Sequence, residues 1–329
     1  MDKNIWHKTA VEILKATIGI SSNCKKNLPC LPFKVEVKSL LSDFKDIKEA
    51  NYSPGLDGYI QIEESDKNTT FSFRNNEAIF NGPFIRLMQE ASDPRFTFWG
   101  NQGFLYRYAL FLLEKKHGIY NLHACALVEE KTRTLYLIVG GAGSGKTVYL
   151  LSGLSKGLNL FSTETVHFRI DSGNVIWYMG SLIDNVRMGT LLYDFPQFMP
   201  DIKASNPDKV WDDKIALNLS SFKTRFEEIK NPDSVFILFP RIEHGFKGII
   251  MSPFKDHRNV SKALFDNISQ KLTETVVLYD KLPVLGFDYT ELALNRLKIA
   301  SQLTQHNSIT QIASVISNPK NCWGELLKK

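Results

Sequence analysis

The feature that most constrains this chain is a glycine-rich run of eight residues, Gly140-Gly-Ala-Gly-Ser-Gly-Lys-Thr147. It fits the pattern G-x-x-x-x-G-K-[ST] at every fixed position, with a β-type run before it and a helical pattern after it. Glycine is needed in such a loop because the backbone must curl with its N–H groups inward, where a Cβ would obstruct a phosphate. The sequence therefore predicts a triphosphate site between a strand and a helix.

The positions of this loop have separate expected roles. The amides and the following helix start supply N–H donors and partial positive charge. Lys146 is expected to reach the β- and γ-phosphates, and Thr147 to place its hydroxyl on Mg²⁺. A glycine-rich turn with a coincidental Lys-Thr is the alternative, and the flanking strand and helix argue against it. The residues predicted to bind nucleotide are Gly140, Gly141, Ala142, Gly143, Ser144, Gly145, Lys146 and Thr147.

The segments around the loop resemble one known family. Leu122-His-Ala-Cys-Ala-Leu-Val128 precedes the loop by one hairpin, and Gly157-Leu-Asn-Leu-Phe-Ser162 leads from the next helix to Thr163 and Glu164. This order is similar to that of HPr kinase/phosphorylase and its relatives in the phosphoenolpyruvate-carboxykinase-like superfamily. The resemblance extends over residues 120–251, under half of the chain, and weakens after Ile170.

This resemblance implies an α/β fold, a P-loop-containing mixed twisted sheet with the nucleotide at its edge. It also implies ATP with Mg²⁺ and transfer of the γ-phosphoryl group to a hydroxyl of a small molecule, a peptide or a protein. His123 matches a histidine near the transferred group, whereas Thr163 and Glu164 match an acidic pair that serves as base and metal ligand. The implied catalytic residues are Lys146, Glu164 and His123, and the implied metal ligands are Thr147 and Glu164. Relatives are often homo-oligomers.

Thr163 departs from the family pattern, because a carboxylate is expected there. Phosphoryl transfer uses one carboxylate to hold Mg²⁺ and another to accept the proton of the acceptor hydroxyl. Glu164 could act as the base, with water and Thr147 completing the metal shell. Another carboxylate, such as Asp171 or Asp184, could supply the missing function. In the third alternative the protein is a regulatory module that binds nucleotide and transfers nothing.

A rival interpretation starts from Thr275-Val-Val-Leu-Tyr-Asp280, which has the form of a Walker B strand. In a conventional P-loop ATPase the carboxylate at the end of such a strand holds the metal. Which of Glu164 and Asp280 lies nearer the Thr147 hydroxyl would decide between the two interpretations. Arg187 and Arg241 follow β-type runs and could clamp a phosphate, although a solvated position suits each of them better.

The periodicity of apolar residues predicts three segments: an N-terminal α+β unit over residues 1–112, a nucleotide-binding domain over 113–258 and a mostly helical extension over 259–329. We expect an amphipathic helix from Trp6 to Ile18, then an antiparallel meander over residues 59–80, with loop residues Pro29 and Pro32 between them. A helix is expected at 104–116, with Gly118 as its stop. Further helices are expected at 263–272, 289–305 and 308–316. The N-terminal unit and the Pro- and Asp-rich loop 194–214 are the candidates for reading the acceptor.

Composition restricts the remaining possibilities. The chain has 329 residues, 43% of them hydrophobic and 23% charged, and its net charge of +5 comes from scattered basic residues. That scatter does not indicate a nucleic-acid-binding stripe. Charged residues interrupt the first apolar segment, as a signal peptide would not allow, and no apolar run approaches the ~20 residues of a membrane span. The chain has four cysteines, Cys24, Cys30, Cys125 and Cys322, and their spacing does not suggest a metal site. We expect them to be reduced thiols in a cytoplasmic protein without a membrane span.

Overall fold

The computed structural model of the chain describes residues 5–28, 44, 47–201, 207–324 and 327. The predicted loop residues Pro29 and Pro32, the thiol of Cys30 and residues 202–206 of the predicted acceptor loop lie outside this set. The described residues divide into two compact units. The first comprises Met1–Tyr120 with Gln270–Ala293, and the second comprises Asn121–Ser269 with Leu294–Lys329.

Strands account for most of the regular structure. In chain order they are β1 (His7–Ile13), β2 (Ala16–Ser22), β3 (Ile47–Ala50), β4 (Gly58–Glu64), β5 (Thr70–Arg74), β6 (Glu77–Gly82), β7 (Tyr120–Glu129), β8 (Thr134–Val139), β9 (Asn159–Ser162), β10 (Thr165–Asp171), β11 (Asn174–Tyr178), β12 (Ile183–Arg187), β13 (Lys214–Asn218), β14 (Glu228–Lys230), β15 (Ser234–Ile242), β16 (Ile249–Pro253), β17 (Val276–Leu278), β18 (Leu282–Val284) and β19 (Ile309–Ser317). The α-helices are α1 (Phe84–Glu90), α2 (Phe104–His117), α3 (Lys146–Ser155), α4 (His257–Thr273) and α5 (Thr290–Thr304).

The first unit contains, among its described residues, a six-stranded sheet in the order β3-β1-β2-β4-β6-β5. The predicted N-terminal helix is wrong, because β1 and β2 form an antiparallel hairpin in which Val11 lies opposite Ile18 and Ile13 opposite Ala16. β-Branched side chains favour the pleated strand, where they pack against cross-strand neighbours. The turn passes through Leu14, whose φ of 56° is left-handed. Cross-strand pairing therefore overrides the helical spacing of the apolar residues.

The predicted meander is also wrong in its connections, although its strands exist. β4 pairs in parallel with both β2 and β6, while β5 lies at the edge and pairs antiparallel with β6. The run that precedes the second unit follows the prediction: α2 spans Phe104–His117, and Gly118 ends it at φ 59°, with its N–H donating to the carbonyl oxygen of Glu114. A left-handed residue just after the last turn is a common helix stop.

The second unit is built on a nine-stranded sheet, counted over the described residues. Its order is β14-β11-β10-β7-β8-β15-β19-β16, with β9 paired to β7. β8 pairs antiparallel with β7 and parallel with β15, so the sheet is mixed. β7 and β8 are almost continuously buried, as expected for strands covered on both faces. The predicted α/β class with a mixed sheet is confirmed.

The last strand corrects the predicted C-terminal helices. Residues 308–316 were expected to be helical, but Ile309–Ser317 forms β19, parallel to β15 and antiparallel to β16. The segment is rich in β-branched residues, and burial alternates along its second half. Two predicted helices are confirmed: 263–272 lies within α4, and α5 (Thr290–Thr304) lies within the predicted range 289–305.

The division into units therefore differs from the three predicted segments. The first break lies after Tyr120 rather than residue 112, and the predicted extension 259–329 contributes to both units instead of forming one of its own. The physical reason is β19, which completes the sheet of the second unit. Cys24, Cys125 and Cys322 are free thiols. Within the described ranges no helix combines the length and apolarity that crossing a bilayer requires.

Candidate functional site

The glycine-rich loop Gly140–Thr147 connects the carboxyl end of β8, an inner strand of the mixed sheet, to α3. β7 runs antiparallel to β8 with Ala124 opposite Val139, so the amino-terminal end of β7 brings His123 beside the loop. The N–H of Gly140 donates to the carbonyl oxygen of His123 over 3.2 Å. β15 runs parallel to β8 on the other side, and its last residues extend past the end of β8. The loop is thus flanked by the start of one strand and the end of another.

The loop backbone has the curvature that its glycines permit. Gly143 has φ 80° and Gly145 has φ 100°, both in the region that disfavours side chains. A Cβ on Gly145 would lie 2.5 Å from Cγ1 of Ile242, whereas one on Gly141 would meet nothing within 4 Å. Gly145 is therefore required by both conformation and packing, and Gly141 faces open space.

Unsatisfied donors in the loop fit a bound anion. Among the described residues, the backbone N–H groups of Gly143 and Gly145 make no backbone hydrogen bond. The hydroxyl oxygen of Ser144 is shielded from solvent and has no partner within the same ranges. Native proteins rarely leave a buried hydroxyl such as that of Ser144 unpaired. The first amides of α3 also lack helical acceptors, as at any helix start. A phosphate group would satisfy these donors together.

Lys146, the first residue of α3, is buried, and its ammonium group lies within the loop. Nζ donates to the carbonyl oxygens of Gly140 over 2.8 Å and Gly141 over 3.1 Å, and it lies 3.1 Å from Nε2 of His123. An ammonium group has three donors and no acceptor, so these contacts hold it by flexible hydrogen bonds rather than by a fixed fork. It can turn from the loop carbonyls to a phosphate oxygen without a change in the backbone.

His123 and Glu164 meet next to this ammonium group. Nε2 of His123 lies 3.1 Å from Oε2 of Glu164, which in turn lies 4.0 Å from Nζ of Lys146. Nε2 of His123 cannot accept a hydrogen bond from Lys146 and donate one to Glu164 at the same time, so its protonation state selects between the two contacts. Glu164 keeps one third of its side chain exposed, and His123 is buried. The arrangement can pass a proton between a solvent-accessible carboxylate and a buried ring.

Asn267 on α4 fixes the position of His123 and was not found from the sequence. Its side chain accepts from the N–H of His123 over 2.9 Å and donates to the carbonyl oxygen of the same residue over 3.3 Å. Both groups are buried. In the sequence Asn267 is one polar residue in an amphipathic helix, and no motif distinguishes it.

The hydroxyl of Thr147 is in contact with the carboxylate of Asp184. Oγ1 of Thr147 donates to Oδ2 of Asp184 over 3.1 Å. Asp184 is on β12, which pairs only with β13 in the described chain, and its side chain is buried. Burial, reinforced by the negative charge of Glu164, raises the pKa of Asp184 to about 7, although the Thr147 hydrogen bond and Lys146 act in the opposite direction. A carboxylate and a hydroxyl in contact are oxygen ligands of the kind that Mg²⁺ takes.

Thr163 contributes no group to the loop. Its hydroxyl donates to the carbonyl oxygens of Ile183 over 2.8 Å and Ser181 over 3.3 Å, and its N–H donates to Ser181 as well. These bonds attach the chain at Thr163 to the segment that leads into Asp184. The residue that replaces the expected carboxylate therefore positions another carboxylate, and of the two alternatives in the sequence the structure brings Asp184, not Asp171, to Thr147.

Asp171 and Asp280, the other candidate carboxylates, make different contacts. Asp171 is exposed and pairs with Arg169. Asp280 is at the turn of the β17–β18 hairpin in the first unit, where it accepts from the N–H and hydroxyl of Ser92. β17 is not a strand of the sheet that carries the loop. Neither Glu164 nor Asp280 accepts the Thr147 hydroxyl bond, which goes to Asp184.

No protein-family model matches the chain. A search of curated proteins finds no significantly similar sequence. In the part of the chain that the structure describes, no cluster of three or more His, Cys, Asp or Glu side chains is arranged to hold a metal ion by itself. A cation at this site would therefore need ligands from a phosphate group and from water, as Mg²⁺ commonly takes.

Proposed function

We propose that this protein is a Mg²⁺-ATP-dependent kinase of the HPr-kinase-like type, which transfers the γ-phosphoryl group to a hydroxyl of a small molecule, a peptide or a protein. The proposal is carried by one observation: two carboxylates lie near the same glycine loop and contact different partners. Asp184 contacts the Thr147 hydroxyl, and Glu164 contacts His123 beside Lys146. Phosphoryl transfer needs one carboxylate for the metal and one for the proton.

Each group then has one role. The loop amides and Lys146 hold the β- and γ-phosphates, since they offer N–H donors and a positive charge at one place. Thr147 and Asp184 hold Mg²⁺, which supplies charge neutralisation of the phosphate oxygens. This assignment moves the metal role from Glu164 to Asp184. Glu164 would then accept the proton of the acceptor hydroxyl, a role that its partial exposure supports.

His123 supports both Lys146 and Glu164 through one ring nitrogen. If Lys146 turned to a phosphate oxygen, Nε2 could donate a hydrogen bond to Glu164. A proton taken up by Glu164 can then be shared with the ring, which keeps the base near the transferred group. Asn267 acts as a positioning residue, because it holds the backbone of His123 from both sides.

A regulatory module that binds nucleotide without turnover is the second candidate function. The observation in its favour is the hydroxyl of Thr163, which bonds to backbone carbonyls and offers no carboxylate. The contact of Asp184 with Thr147 weakens this candidate, because it supplies the carboxylate from another strand. An ATPase that uses Asp280 finds no support in the hairpin position of that residue.

The test compares Lys146→Ala with Lys131→Ala, a matched change at an exposed lysine in the β7–β8 turn. Purified protein is incubated with γ-phosphate-labelled ATP, Mg²⁺ and a fractionated cell extract as the source of acceptors. Wild type and Lys131→Ala should transfer label to an acceptor, and Lys146→Ala should not. Label transfer by Lys146→Ala at the wild-type rate, with the same melting temperature, would exclude the loop as the active site.

A further inference from the structure

Two aromatic side chains of the second unit are exposed side by side. Tyr193 is 63% exposed and Trp211 is 43% exposed, and their ring centroids are 5.8 Å apart with an angle of 31° between the ring planes. Trp99, Trp177 and Trp323 are all buried. Large aromatic rings gain most from burial, so an exposed pair of neighbouring rings indicates a surface that another flat group can cover. We call Tyr193 and Trp211 the aromatic shelf.

The shelf is connected to the glycine loop through β12. Asp184 near the start of this strand contacts Thr147, and Arg187 at its end donates a hydrogen bond to the carbonyl oxygen of Trp211. Three residues of strand span about 10 Å. Beyond the strand, a Cβ on Gly189 would lie 2.6 Å from the Trp211 ring, so the indole packs directly against the backbone there. These two contacts connect Trp211 to the strand that carries Asp184, the partner of the Thr147 hydroxyl.

A second connection runs through the end of β15. Ile242 packs against Gly145 of the loop, and His244, two residues further, has its ring centroid 6.5 Å from that of Trp211. Two independent chain segments thus lead from the loop to the same indole ring. The shelf belongs to the surroundings of the loop and not to a distant surface.

The topology of the sheet gives the direction of a bound triphosphate. His123 is on β7 and Glu164 immediately precedes β10, and both strands lie on one side of β8. β15, which leads to His244, lies on the other side. A γ-phosphate held by Lys146 beside His123 and Glu164 leaves the rest of the nucleotide to extend toward the β15 side. That is the side on which His244 meets the aromatic shelf.

We propose that the aromatic shelf of Tyr193 and Trp211 stacks the base of the bound nucleoside triphosphate. This inference rests on the proposed function, since it requires the phosphates to occupy the glycine loop. Stacking on aromatic rings tolerates all bases, because each has a π-face, and it favours the larger purines. The site accordingly binds ATP and GTP with similar affinity and pyrimidine nucleotides more weakly.

The experiment measures the affinity of the full-length protein for Mg²⁺-ATP and for Mg²⁺-tripolyphosphate, which has no base. Trp211→Leu and Tyr193→Leu should each weaken ATP binding by about 5- to 100-fold and leave tripolyphosphate binding unchanged. Trp211→Phe retains an aromatic ring and should keep most of the ATP affinity. Phe222→Leu, a change at another exposed aromatic residue, serves as the control. ATP should also quench the fluorescence of wild type more than that of Trp211→Phe.

The outcomes separate the two proposals. Loss of ATP affinity in both leucine variants, with unchanged tripolyphosphate affinity, supports the shelf and shows that the variants are folded. Equal affinity of wild type for the two ligands, or ATP binding unaffected by the leucine changes, overturns the shelf and leaves the loop intact. Failure of wild type to bind either ligand overturns the proposed function itself.

Discussion

The hydroxyl of Thr147 donates a hydrogen bond to Asp184, with 3.1 Å between Oγ1 and Oδ2, although the two residues are 37 positions apart in the chain. This contact gives the glycine loop a carboxylate that its own neighbourhood in the sequence lacks. Thr163, where a carboxylate is expected, donates a hydrogen bond to Ile183 and so holds the segment that carries Asp184. The candidate site therefore has two carboxylates with different surroundings: Asp184 is buried against a hydroxyl, and Glu164 is partly exposed beside a histidine.

The first prediction concerns stability as a function of pH. Burial raises the pKa of Asp184 from its ordinary value near 4 to about 7 in the folded protein. The folded state then holds a proton that the unfolded state has lost, so the free energy of unfolding falls as pH rises through the window from about 4 to 7. Asp184→Asn removes this loss and should stabilise the ligand-free protein at pH 8 by roughly 1–3 kcal/mol, with little change at pH 4.

Thermal unfolding of wild type and Asp184→Asn at pH 4, 6 and 8 measures this difference. Asp171→Asn is the matched control, because Asp171 is exposed and its variant should follow wild type at each pH. A melting temperature of Asp184→Asn that is equal to or below that of wild type at pH 8 would show that Asp184 is not a destabilising buried carboxylate.

The second prediction separates the roles of the two carboxylates. Glu164→Gln should lower kcat by roughly 10²- to 10⁴-fold with little change in the affinity for ATP, because it removes the proton acceptor and leaves the phosphate and metal ligands. Asp184→Asn should instead raise the Mg²⁺ concentration needed for half-maximal activity. Steady-state kinetics at several Mg²⁺ concentrations distinguishes the two effects. Normal turnover in Glu164→Gln, or loss of turnover in Asp280→Asn, would restore the ATPase interpretation based on Asp280.

The third prediction is that a carboxylate at position 163 lowers both the stability and the activity of the protein. The Thr163 hydroxyl is buried and bonded to two backbone carbonyl oxygens. In Thr163→Asp an ionised carboxylate would face those oxygens without a donor, which should cost roughly 2–5 kcal/mol of stability and lower activity. Thr163→Ser keeps the hydroxyl and should remain close to wild type. Higher activity in Thr163→Asp at an unchanged melting temperature would mean that Thr163 marks a lost catalytic position.

The fourth prediction uses two glycines of the loop. Gly145→Ala should destabilise the protein by roughly 1–3 kcal/mol, since φ is 100° and the new Cβ would meet Ile242. Gly141→Ala places its Cβ in open space and should leave the melting temperature unchanged. Chemical denaturation of both variants gives the comparison. Equal stability of the two variants would show that the loop does not have the curvature described.

The sequence was informative wherever the signal is local. The glycine loop is flanked by β8 and α3 as predicted, because eight consecutive residues and their neighbours determine that turn. His123 and Glu164 lie 3.1 Å apart, and this proximity depends only on the hairpin before the loop and the helix–strand step after it.

The sequence was less informative wherever a contact depends on distant pairing. Asp184 reaches Thr147 only through β12, whose partner β13 begins at Lys214, so it was one of two candidate carboxylates. Asn267 reaches His123 across 144 positions and carries no motif. The apolar spacing in β1, β2 and β19 predicts helices. These short β-branched runs instead pair as strands, because neighbouring strands offer hydrogen bonds.

Calorimetric titration of Mg²⁺-ATP into the full-length protein and into Lys146→Ala tests the central claim most directly. The site predicts saturable heat with one nucleotide bound per chain, and an affinity roughly tenfold or more weaker in Lys146→Ala. Absence of binding heat in wild type at several temperatures, or equal affinity of the two proteins, would contradict the assignment of Gly140–Thr147 as a triphosphate site.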